Sequence, residues 1–299
     1  MTGIYRESIN VVDMRKFSVA VVSLLLSLCA LAKSPADTVR ILAVGNSFSH
    51  DAIEQNLFEL AEAYGITVII GNAFIGGCSL ERHVVNSRED KPDYAYRKIG
   101  ADGVRRGYKD VTLAEIVADE QWDYVSLQQA SPLSGLYETY RTWLPELYGY
   151  VRARVPEDAC FMLHQTWAYA CDSDHAGFAN YDRDQMKMYR AVVKANRKAA
   201  RLVGIKVIIP SGTAIQNART SFIGDRMNRD GYHLDLLWGR YTAACTWYEK
   251  IFGNVLENAY APQGLAPDYT EVCRRSAHEA VRHPYRVTEI KVRNSDGER

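Results

Sequence analysis

The chain has 299 residues, 47% of them hydrophobic, 24% charged and 11% aromatic, and its 36 basic residues balance 36 acidic ones. Low-complexity disorder, a collagen-like repeat and a coiled coil each need a compositional bias that is missing here. A net charge of zero also argues against a nucleic-acid partner, because a polyanion is held through a basic face that releases counterions.

Arg15 and Lys16 precede an apolar run from Phe17 to Cys29 that ends in Ala30-Leu31-Ala32. A basic start, an apolar stretch too short to span a bilayer comfortably and a small-x-small ending predict a signal peptide over residues 1–32. The mature protein is then expected to be periplasmic or secreted, without stable membrane insertion. Met14, directly before the basic pair, is an alternative start, and an uncleaved anchor is an alternative reading of the segment. Lipoprotein anchoring through Cys29 is a weaker alternative, since the preceding Leu28 is large. Residues 33–299 read as a single domain carrying Cys78, Cys160, Cys171, Cys245 and Cys273. Five cysteines without a CxxC pair suggest neither a disulfide scaffold nor a zinc ribbon, although Cys160 and Cys171 are near enough in sequence to bridge.

Five apolar runs predict buried strands: Val39 to Val44, Ile66 to Ile70, Tyr124 to Leu127, Cys160 to His164 and Lys206 to Ile209. Between the first two, Ile53, Leu57, Leu60, Ala61 and Tyr64 recur at helical intervals, with Gly65 as a stop. A long helix is predicted from about Tyr181 to Gly204, a last core helix from about Leu234, and a further helix at Thr270 to Val281 within a C-terminal extension that begins near Pro262. Strands alternating with helices predict a three-layer α/β/α sandwich around a five-stranded parallel sheet. The polar, Tyr-rich stretch from Arg82 to Asp110 breaks the pattern; Ala101-Asp102-Gly103 marks an inserted hairpin, which would wall a cleft or simply decorate the surface.

Chemistry is signalled first at the end of the first strand, where Val44 runs into Gly45-Asn46-Ser47-Phe48-Ser49 and a helix. A serine at that turn sits above the sheet among helix-start amides that favour a developing oxyanion. A serine hydroxyl is a weak nucleophile and needs a base. Asp230-Gly231-Tyr232-His233, directly before the last core helix, supplies an imidazole with an aspartate three residues away to orient it.

In combination these blocks resemble the SGNH, or GDSL-like, hydrolase superfamily, of a divergent secreted bacterial branch similar to carbohydrate acetylesterases. The resemblance runs over roughly Val39 to Phe252. It implies a flavodoxin-like sandwich, Ser47 as nucleophile, His233 as base and Asp230 as its orienting carboxylate. The oxyanion would be held by the Ser47 amide, by Gly77 (or Gly76) in Ile75-Gly76-Gly77-Cys78-Ser79-Leu80, and by an amide side chain after the third strand. There Leu127-Gln128-Gln129-Ala130-Ser131 replaces the usual asparagine block, so Gln128 and Gln129 are both candidates, Gln129 being nearer the usual site. Asn46 stands where an aspartate is usual. The implied activity is hydrolysis of acyl esters, O-acetyl above all, on a small-molecule or glycan substrate through an acyl-enzyme, with no cofactor.

His164 and Trp167, ending the fourth strand, are candidate substrate contacts, a ring to stack on sugar and an imidazole beside it, or else core packing. His278-Glu279 and His283 do not form a zinc-protease motif, because histidines five apart point away from each other on a helix, and no metal site is expected. A lipid esterase or thioesterase is an alternative in the same class. A non-catalytic glycan-binding protein on the same scaffold is the alternative in another.

Overall fold

The computed structural model describes residues 38–294; the predicted signal peptide, with Met14 and Cys29, lies outside the described residues. Strands β1 (Val39–Gly45), β2 (Val68–Phe74), β5 (Tyr124–Leu127), β6 (Cys160–His164) and β7 (Val207–Ile209) run parallel in the order β2-β1-β5-β6-β7. Alternate residues of β1 face opposite layers: Ile41 and Ala43 join one apolar cluster, Leu42 and Val44 the other. That alternation is the period-2 geometry of a strand buried on both faces. Helices α1 (Ser47–Ile53), α2 (Leu57–Glu62), α8 (Trp238–Ile251) and α9 (Pro267–Arg282) pack in the first cluster, and α3 (Leu80–Arg88), α4 (Leu113–Ala118) and α5 (Tyr137–Arg152) in the second. The long helix α6 (Gln185–Leu202) contributes to both, and α7 (Ser211–Ala218) follows β7.

The sheet has seven strands, two more than the sequence suggests. The polar segment after α3 forms β3 (Tyr94–Ile99) and β4 (Arg105–Val111), each antiparallel to its neighbour, which extend the sheet beyond β2. The turn rests on Gly103 at φ +72° and on Asp102, whose Oδ1 accepts the Val104 amide. Because Phe74 pairs with Ala95 and Ile70 with Ile99, the insert continues the sheet edge. Its outer strand is exposed and carries Arg105, Arg106, Lys109 and Asp110, charges that discourage edge-to-edge pairing.

Two further differences have local causes. The second strand runs on through Gly71-Asn72-Ala73, residues with no apolar signature, because a Cβ at Gly71 would lie 2.6 Å from the Trp122 ring; the glycine makes room for that buried indole. The predicted first helix is broken at Glu54–Asn56, where the guanidinium of Arg105 donates to the carbonyls of Glu54 (3.2 Å) and Gln55 (3.3 Å) left over at the break. The long helix starts at Gln185, after Asp182 and Arg183 take left-handed backbone at φ 54° and Asp184 caps it through the Lys187 amide. All five cysteines among the described residues are free, so Cys160 and Cys171 form no bridge. None of the helices among the described residues is long and apolar enough to cross a membrane.

Candidate active site

In the parallel part of the sheet the chain order reverses at β1 and β5: the chain leaves β1 for β2 on one side and returns to β5 on the other. Ligands of such sheets bind outside the carboxyl ends of the strands at that switch point. Ser47 follows β1 and Gln128 follows β5, so two of the predicted site residues flank it.

Asn46 organises the nucleophile turn. Wholly buried in extended backbone, it caps α1 by accepting the Phe48 amide on Oδ1 (3.0 Å), and the same oxygen accepts Gln128 Nε2 at 2.6 Å. Its Nδ2 donates to the Cys78 carbonyl at 2.9 Å, which ties the Gly76-Gly77 turn to the turn bearing Ser47. An aspartate could accept both bonds but could not make that donation, so asparagine has a definite role here. Gly45 is required by space, since a Cβ there would lie 2.6 Å from Ser49 Oγ. Gly77 is required by backbone conformation, at φ +62° with open space around it.

The second element is the loop before α8. Asp230 Oδ1 accepts the amides of Tyr232 (3.2 Å) and His233 (2.7 Å), and Oδ2 accepts His233 Nδ1 at 2.7 Å. With Nδ1 holding the proton toward the carboxylate, Nε2 keeps a lone pair for a hydroxyl proton. Burial acts to raise the Asp230 pKa, but the bonds from the His233 ring and the two amides outweigh it and hold the carboxyl below its ordinary range.

Asp51 joins the two elements, and the sequence reading missed it. One turn along α1 from Ser47, its wholly buried carboxylate accepts the Leu234 amide at 2.9 Å, Arg229 Nη1 at 3.1 Å and Arg240 Nη2 at 2.8 Å. The nucleophile helix is thereby fixed to the residue that follows His233. Phe48 packs between the two: its ring stacks on Trp167 at 4.2 Å and lies 6.0 Å from the His233 ring, centroid to centroid. The Ser47 hydroxyl makes no direct hydrogen bond to His233, whose Nδ1 bonds Asp230.

The two glutamines separate cleanly. Gln129 Oε1 accepts the Leu80 and Ala130 amides, and Nε2 donates to Thr139, so this side chain fastens the start of α3 and is turned away from Ser47. Gln128 is the one beside the nucleophile turn. Its Oε1 faces His164 Nδ1 at 2.7 Å, and because an amide oxygen can only accept, that nitrogen carries the proton; His164 Nε2 then accepts from Ser211 Oγ at 3.0 Å. Burial pushes the His164 pKa down to about 3, so the ring stays neutral.

His164 and Trp167 are both buried, in the core-packing arrangement that was the alternative to substrate contact. Trp167 is 0% exposed, stacked on Phe48 with its Nε1 donating to the Tyr232 carbonyl at 2.8 Å, and offers no free face to a sugar. The aromatic groups that do reach the surface beside His233 are Tyr232, whose ring is 4.2 Å from it, and His175, 4.8 Å from Tyr232. His175 caps a 3-10 segment, Ala176–Tyr181, between β6 and α6 that carries no periodic signal in the sequence. On the other side of Ser47, burial and the neighbouring Arg97 lower the His50 pKa to about 4. Among the described residues no group of three or more His, Cys, Asp or Glu is placed to hold a metal ion. His278 instead bonds Glu249 through Nδ1 at 2.9 Å.

A family model described as a domain of unknown function, DUF4886, matches residues 40–280. The chain belongs to the DUF4886 family. It is similar to a crystal structure of a DUF4886 family protein from Bacteroides uniformis, at 60% identity over 85% of this chain and 98% of that one, with a TM-score of 0.84. Much weaker likenesses link this DUF4886 chain to a candidate SGNH hydrolase from Slackia heliotrinireducens (21% identity, 72% of this chain and 100% of that one, TM-score 0.49). An acetyl xylan esterase from Geobacillus stearothermophilus is similar at 11% identity over 72% and 94% of the two chains, with a TM-score of 0.47. No curated protein matches the sequence significantly.

Proposed function

We propose that this DUF4886 protein is a serine esterase of the SGNH type. The observation that carries the reading is the charge-assisted bond of 2.7 Å between His233 Nδ1 and Asp230, on an imidazole packed against the residue that follows Ser47. Ser47 Oγ attacks the ester carbonyl as His233 Nε2 takes its proton, and Asp230 stabilises the imidazolium. The amides of Ser47 and Gly77 and the Gln128 side chain, held by His164, are the donors for the tetrahedral oxyanion. The protonated His233 then releases the alcohol, and water activated by the same ring frees the acyl group. The substrate class follows the resemblance described above, O-acetyl and related acyl esters of carbohydrate, outside the cytoplasm.

The test is labelling of the mature protein by a fluorophosphonate probe, which needs an activated serine, with mass-spectrometric mapping of the site. Adduct at Ser47 that is lost in Ser47→Ala and His233→Ala supports the esterase and directs screening to acetylated glycans. Well-folded protein that takes no label overturns it in favour of a binding protein on this scaffold.

A further inference from the structure

A second candidate site lies on α6, away from the serine turn. The helix carries Lys187, Arg190, Lys194, Arg197, Lys198 and Arg201 and no acidic residue. Arg190, Lys194, Arg197 and Arg201 follow one another at intervals of four, three and four, which places them on one face over about 16 Å of helix axis. That face lines a cavity of about 300 Å³ closed on its other side by Tyr285, and no carboxylate lines it. Lys187 pairs with Asp182. The five other cations are exposed and form no ion pair with any described residue, in a chain whose charges balance as a whole.

The groove is built by tertiary contacts. The segment bearing Tyr285 is strapped across α7 by Thr213 Oγ1 on the Pro284 carbonyl (2.8 Å), by the Thr288 amide on Asn217 (2.7 Å) and by the Ile290 amide on Thr220 (2.9 Å). Tyr285 stands 45% exposed with the Arg197 guanidinium over its ring at 4.4 Å. A tyrosine held beside a row of unpaired cations offers a stacking face next to charge recognition.

We infer that this groove binds a linear acidic polysaccharide, carboxylates pairing with the cations of α6 and a sugar face resting against Tyr285. A concave cleft admits a chain rather than a flat bilayer, and only Leu202 and Tyr285 offer large exposed apolar surface near it. A bilayer contact would want a broader apolar face.

The experiment uses the mature full-length protein and polygalacturonate as probe, with phosphatidylglycerol vesicles, single-stranded DNA and neutral xylan in parallel. Binding to polygalacturonate that weakens with added salt is expected, as is little binding to xylan. The double variant Arg190→Glu/Arg197→Glu should lose affinity by ~10-fold or more, while Lys91→Glu/Arg106→Glu, across the sheet, should bind as the parent does. Circular dichroism and fluorophosphonate labelling of each variant report folding separately from the groove. Binding that the α6 reversal leaves unchanged, no binding to polygalacturonate, or preference for vesicles or DNA over it would each overturn the assignment.

Discussion

The nucleophile side and the acid–base side of the candidate site are built in different ways. Around Ser47 the support is interior: Asn46, Gln128, His164 and Ser211 form a buried chain of hydrogen bonds in which nearly every polar atom has a partner. Around His233 the support is a surface loop in which the Asp230 side chain is 41% exposed and His233 18%. The loop is held by Asp51, a buried carboxylate that belongs to the helix of the nucleophile. The His233 loop is thus positioned from the element that carries Ser47, and the Asp230 charge stays near solvent, where a partly wet carboxylate avoids most of the desolvation cost.

Removing the joint between the two sides should have the largest effect on the fold. Asp51→Ala strands Arg229 and Arg240 without their shared carboxylate and frees the Leu234 amide, and should cost about 3–5 kcal/mol in chemical denaturation. Asp51→Asn keeps the shape and should retain part of that loss, which separates charge from packing. On the interior side, Gln128→Ala should lower kcat on an activated acetyl ester by about 10²–10³-fold, the range for one oxyanion donor. Gln129→Ala should instead lower the melting temperature with a much smaller change in kcat, because it bonds the start of α3. If the two variants exchange these signatures, the assignment of the donor is wrong.

The most graded effect is acid sensitivity. His83 and His164 are buried and neutral, and burial pushes both pKa values down to about 3. Below the ordinary histidine pKa near 6.5 the unfolded chain binds protons that the native state refuses, so stability rises with pH across that interval and falls on acidification. Each histidine should lower stability progressively as pH falls between roughly 6.5 and 3. Asp230 adds to the loss only further down, as pH falls through its depressed native pKa. A denaturation midpoint that is flat from neutral pH to pH 4 would contradict the buried, neutral state of these rings.

The order of the elements was legible because continuous apolar runs report strands buried on both faces, and the Asp230–His233 bond and the place of Ser47 at a helix start were legible because both are local. What was not legible is everything that depends on contacts distant in sequence. The break at Glu54 depends on Arg105, and the strand through Gly71 on Trp122. Gln128 and Gln129 are adjacent and chemically identical, and only the tertiary structure shows that one bonds Asn46 beside Ser47 and the other the Leu80 amide. Trp167 is a further case: its position after the fourth strand leaves a sugar contact and core packing open, and only the tertiary structure shows Phe48 and the Tyr232 carbonyl against it.

Sequence alone therefore determined the layered α/β class and the local pairing of Asp230 with His233, since hydrophobic period and local spacing are properties of neighbouring residues. Tertiary structure decided which amide faces the serine, which carboxylate binds its helix to the histidine loop, and that the cations of α6 meet Tyr285 across a groove. Those are matters of approach between segments up to 189 positions apart, as Asp51 and Arg240 are, and only the packed chain sets them.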